Sequence, residues 1–91
     1  AFLYAEGDCE RALALYRKSM RYTLRFFGEN VEYGITWQNM AHVYEKMGQR
    51  TEAAAALERA EKVYARLLGP EHERTQSARD ELQRLRRANG A

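Results

Sequence analysis

Chemistry in this chain would have to come from a short roster of reactive side chains. His42 and His72 stand thirty residues apart, and Cys9 is further still from either. No pair has the close spacing that a zinc site needs, so no metal is expected. Ser19 and Ser77 have no nucleophile elbow around them, there is no glycine-rich phosphate loop, and the carboxylates fall on faces expected to be solvated. Catalysis and a bound cofactor are therefore not expected. The other charged feature is a basic stripe at helical spacing, Arg17, Lys18, Arg21 and Arg25. Such a stripe could meet RNA phosphates, tubulin or an acidic protein. It lacks the interleaved exposed aromatics that base stacking would want, so a solvated helix face is the stronger expectation and RNA contact the weaker one.

Composition narrows the class. Ninety-one residues with a net charge of +2, drawn from 15 basic and 13 acidic side chains, describe a well-solvated small domain more than a nucleic-acid footprint. A lone cysteine argues against a disulfide framework and suits a reducing compartment, with the cytoplasm as the default. No apolar run is long enough to span a bilayer, and no membrane partner is expected. The chain starts at Ala1 without Met, and Phe2, Leu3 and Tyr4 have the character of a helix end, so the expectation is a fragment of a longer repeat protein.

The elements that must position any site are helices related by an internal repeat. Gly7, Ala12 and Gly28 recur forty-one residues later as Gly48, Ala53 and Gly69. Size and polarity carry over at the same offset from Tyr16 to Leu57, Ser19 to Ala60, Phe27 to Leu68 and Thr36 to Ser77. Cys9, Ala12, Leu13, Tyr16, Met20, Leu24 and Phe27 mark one helix face, and Leu15, Tyr22 and Phe26 form a second stripe on the same helix. A helix apolar on two sides is expected to lie between neighbours, as in a stacked solenoid. Tyr33, Trp37, Met40, Ala41, Tyr44 and Met47 define the next helix, which Gly48 should end. Thr51 is the expected cap of a third helix, running from Ala53 to a stop at Gly69-Pro70. The last helix, roughly residues 73–88, carries only a thin stripe of Ala78, Leu82 and Leu85 beneath many arginines and reads as a polar capping helix.

Trp37, Met40-Ala41, Tyr44, Gly48, Ala53, Leu57 and Ala60 together resemble the signature of the tetratricopeptide repeat. The preceding unit keeps Leu3, Gly7, Ala12, Tyr16 and Ser19. The spacing exceeds the usual repeat of about 34 residues. With Leu68-Gly69-Pro70-Glu71-His72, Phe27-Gly28-Glu29-Asn30 and Gln38-Asn39-Met40-Ala41, the chain looks like the long-repeat subclass of kinesin light chains and the clustered-mitochondria family. The resemblance implies an all-α solenoid of antiparallel helix pairs in one domain, divided into a truncated repeat (1–28), a complete repeat (29–69) and a cap (70–91).

The resemblance also implies a concave groove lined by the first helix of each unit. The positions it carries over are Ile35, Gln38, Asn39, His42 and Glu45, with Gln76, Arg79, Gln83 and Arg86 on the cap. Amides such as Gln38 and Asn39 can grip a peptide backbone, and Arg79 and Arg86 could receive a carboxylate. The function expected is a protein-protein interaction scaffold that binds a partner protein or peptide. The rival expectations are a packing lobe of a larger assembly or enzyme, and an RNA-contacting module.

Overall fold

The computed structural model describes residues 6–90, with side-chain environments from 7 to 88, so the helix end expected at Phe2–Tyr4 lies outside the described residues. Four helices follow in order: α1 (Glu6–Phe26), α2 (Val31–Lys46), α3 (Arg50–Leu68) and α4 (Glu73–Gly90). Each packs on the next in sequence, α1 on α2, α2 on α3 and α3 on α4. The fold is all-α, and the smallest dimension, 19 Å, is about two helix diameters.

Glycines set the turns. Gly28, Gly48 and Gly69 have φ of +76°, +79° and +97°, a region where a side chain is strained. At the end of α2 the amide of Gly48 donates to the Glu45 carbonyl at 3.0 Å and that of Gln49 to the Tyr44 carbonyl at 2.9 Å. These two bonds are a Schellman motif, which satisfies the last carbonyls of the helix. The motif leaves Gln49 as the residue before α3, without a side-chain capping bond, and places Thr51 inside the helix. The cap expected at Thr51 is therefore two residues too late. Asn30 caps α2 instead, its Oδ1 accepting from the Tyr33 amide at 3.0 Å. His72 does the same for α4 through Nδ1, which accepts from the Arg74 amide at 3.1 Å. Buried Thr75 ties the cap to the preceding turn by donating to the Gly69 carbonyl at 2.8 Å.

Two clusters form the core. Cys9, Leu13 and Met20 of α1 meet Tyr33, Met40 and Val43 of α2 and Val63 of α3. Ala41, Ala53, Ala56, Leu57, Ala60, Tyr64, Ala78, Leu82 and Leu85 join α2, α3 and α4, with Trp37 and Tyr44 packed against them. Small residues let the helices approach: a Cβ on Gly34 would lie 2.8 Å from Tyr64 Cε1 and 3.1 Å from Val63 Cγ1. One expectation is not met. Leu15, Tyr22 and Phe26 have no neighbouring helix over them among the described residues and are 66%, 59% and 59% exposed, and Leu24 and Phe27, at the end of α1, are 43% and 67% exposed.

α4 buries Thr75, Ala78, Leu82 and Leu85 as it packs on α3. At the repeat offset of forty-one residues these correspond to Gly34, Trp37, Ala41 and Tyr44 of α2. Gly34 and Ala41 are buried as well, and Trp37 and Tyr44 pack against the cluster that holds Ala78, Leu82 and Leu85. The polar positions beside that stripe, Arg74, Ser77, Glu81 and Arg84, stay at its edge, because burying them unpaired would be costly.

Candidate partner-binding face

Four side-chain pairs join α2 and α4 along their seam. Gln38 Nε2 reaches Ser77 Oγ and Glu81 Oε1, each at a long 3.4 Å. His42 Nε2 donates to Glu81 Oε1 at 3.0 Å. Arg84 grips Glu45 with both terminal nitrogens, at 2.8 and 3.2 Å. Beneath them the Tyr64 hydroxyl donates to Gln38 Oε1 at 2.8 Å, which fixes the amide's orientation from the core side. Burial pushes the Tyr64 hydroxyl above its ordinary range. The Arg84 guanidinium holds the Glu45 carboxyl below the ordinary carboxylate value, first through its hydrogen bond and then through its charge.

Asn39 is half-buried beside this row, and its amide has no hydrogen-bond partner among the described residues. Ile35 is likewise half-buried on the same helix and packs at the edge of the core. A hollow of about 370 Å³ opens beside His42, Glu45 and Lys46, and a second of about 280 Å³ beside Gln38, His72, Glu73, Arg74 and Ser77. The two hollows lie at successive turns of α2, with the Gln38 and His42 contacts to α4 between them.

Of the residues singled out from sequence, Gln38, Asn39, His42 and Glu45 share this face of α2. Arg79 and Arg86 lie on the opposite flank of α4. Arg79 Nε bonds Glu61 at 3.1 Å and its guanidinium also reaches the Pro70 carbonyl at 3.3 Å, while Arg86 pairs with Glu58, so both arginines clamp the cap onto α3. The residues that meet α2 are Ser77, Glu81 and Arg84. They flank the buried stripe Thr75, Ala78, Leu82 and Leu85, and the polar positions beside that stripe were the signal that could have found them. Gln76 bonds back to Glu71 at 3.1 Å, and Gln83 is exposed.

The basic stripe is not a uniform row. Arg17 turns inward and donates to the Tyr44 hydroxyl at 2.9 Å, joining α1 to α2. Arg25 lies over the Phe26 ring, 5.5 Å from its centroid. Lys18 and Arg21 form no ion pair among the described residues. Cys9 is buried in the α1–α2 core. Among the described residues no three metal-ligating side chains come together, and no helix is long and apolar enough to cross a membrane.

Antiparallel helix pairs with small residues at their crossings and an open polar row on alternate helices define a helical repeat. A model of the tetratricopeptide repeat matches residues 1–66, and the chain belongs to that family. The matched stretch ends within α3, before the polar α4. Tetratricopeptide repeats are in general modules of protein-protein interaction, and no catalytic domain is identified in the match. No curated protein and no solved structure matches the chain.

Proposed function

We propose that this domain is a protein-protein interaction scaffold whose α2–α4 face holds an extended segment of a partner. The observation that carries the reading is the row Gln38, Asn39, His42 and Glu45 beside α4, in which Tyr64 holds the Gln38 amide from below and the half-buried Asn39 side chain has no hydrogen-bond partner among the described residues. Asn39 offers both a donor and an acceptor to a peptide backbone. Ser77, Glu81 and Arg84 supply the opposite wall, and Arg79 and Arg86 act on the face indirectly by fixing α4 on α3. Side chains already held in place lower the ordering cost of binding.

The same reading places the chain in the long-repeat subclass that kinesin light chains resemble. Its support is the Leu68-to-His72 turn, in which Gly69 takes positive φ and His72 caps the next helix. The repeat units then run 1–28, 29–69 and 70–91, and the working compartment is the cytoplasm. The protein acts without catalysis of its own. RNA contact is the poorer reading, because Arg17 and Arg25 of the stripe are already engaged within α1 and α2.

The test is a binding measurement on folded variants. Asn39→Ala and Gln38→Ala should leave helix content unchanged and weaken capture of a bound peptide by about tenfold together, roughly the loss of two hydrogen bonds. Undiminished capture by the double variant, with its fold intact, defeats the proposal.

A further inference from the structure

A hollow of about 130 Å³ opens between α2 and α3, walled by Glu29, Tyr33, Trp37, Arg59, Lys62 and Val63. None of Gln38, Asn39, His42 and Glu45 lines it, so it is separate from the polar row. Its polar wall is rich in donors that have nothing to donate to. Tyr33 is only 8% exposed, yet its hydroxyl has no hydrogen-bond partner among the described residues. The indole N–H of Trp37 is buried and likewise has no acceptor among them. Arg59 lies over the Trp37 ring, 5.0 Å from its centroid, and neither Arg59 nor Lys62 forms an ion pair among the described residues. The acidic side chain on this wall, Glu29, is already held by Arg66. Buried donors are nearly always satisfied in folded proteins, so a group of unsatisfied ones around one hollow needs a cause.

We propose that this hollow is a subsite for a carboxylate group. Its volume is that of about four water molecules, enough for a carboxylate and its neighbouring carbon. Arg59 and Lys62 supply charge-assisted donors, and the Tyr33 hydroxyl supplies a neutral one. Val63 and the aromatic rings complete a wall suited to the adjoining methylene. A singly charged group is favoured over a doubly charged phosphate, because Glu29 shares the wall and repels the second charge. The carboxylate comes from an acidic side chain of a partner protein or from a free small acid, and the same donors serve both. The hollow lies between two helices described along their whole length, so both of its walls are in place.

Trp37 is the one tryptophan of the sequence, so its indole N–H gives a single signal in a correlation spectrum of the isotopically labelled chain and reports on the hollow directly. The chain is titrated with sodium acetate, and with sodium chloride at matched ionic strength as the control. Acetate should shift the indole signal saturably, with a dissociation constant on the order of 10 mM, and chloride should not. Tyr33→Phe and Lys62→Gln should each weaken acetate binding by about threefold to tenfold, the loss of one hydrogen bond, with helix content by circular dichroism unchanged. N-acetylaspartate methylamide separates the two sources. If it binds as tightly as acetate, the hollow receives a partner's side chain; if acetate alone binds, it receives a free small acid. A shift that chloride reproduces, or that ignores both substitutions, overturns the proposal. So does the absence of saturation by acetate, whether or not inorganic phosphate saturates.

Discussion

At the scale of single residues, the candidate face is a set of partnered polar groups with one partner missing. Glu45 and Arg84 are the best-formed pair, and both are substantially exposed, so their bond contributes only about 0.5 kcal/mol to stability. Its effect on titration is easier to read. The Glu45 carboxyl is lowered in the fold from an ordinary 4.5, so its contribution is present above that value and is lost as pH falls through the folded value. Arg84→Ala should raise the Glu45 titration midpoint, seen by carboxyl NMR, and flatten the acid side of the stability profile; an unmoved midpoint would count against the pairing. Tyr64→Phe should cost about 1 kcal/mol in denaturant unfolding through loss of the bond to Gln38, and it should loosen the Gln38 amide. The chemistry of these residues was legible in their types. Their pairing was not, because Gln38 meets Ser77 and Glu81, 39 and 43 residues away, only once α2 and α4 are packed on α3.

Helices are the scale at which most of the fold was legible. Apolar spacing marks all four, and the glycines fall at the turns because only they take positive φ without strain. The misplaced cap at Thr51 has a simple cause: a Schellman turn consumes Gly48 and Gln49, and the helix starts at Arg50 before threonine is reached. The stripe of α4 keeps the repeat offset, with Thr75, Ala78, Leu82 and Leu85 forty-one residues after Gly34, Trp37, Ala41 and Tyr44. Two substitutions probe this packing. Gly34→Ala gains helix propensity but drives a methyl into the rigid Tyr64 ring, so a net loss of about 1–2 kcal/mol is expected in thermal or denaturant unfolding. Leu85→Ala, at a site 1% exposed, should cost about 2–5 kcal/mol. A surface-like cost below about 0.5 kcal/mol for Leu85→Ala would contradict the burial of the α4 stripe against α3.

The whole molecule presents two faces of different character. One is polar and preset along α2 and α4; the other is apolar and basic along α1. Sequence periodicity revealed the two stripes on α1, whereas the polar row on α2 was implied by the resemblance to the repeat family. What periodicity could not reveal is whether the second α1 stripe is covered within the chain, because that depends on which neighbours are present and not on the helix itself. The two faces are separable, as substitutions at Asn39 and at Tyr22 alter opposite parts of the domain.

The central claim is that the α2–α4 face holds an extended peptide. Its most direct test is to pan the immobilised chain against a library of random twelve-residue peptides, then to measure the enriched peptides on the parent, on Gln38→Ala with Asn39→Ala, and on Leu15→Ser with Tyr22→Ser. The account predicts peptides that lose about tenfold or more on the Gln38 and Asn39 variant and bind the α1 variant as they bind the parent. Enriched peptides that ignore Gln38 and Asn39, or no enrichment at all, would contradict it.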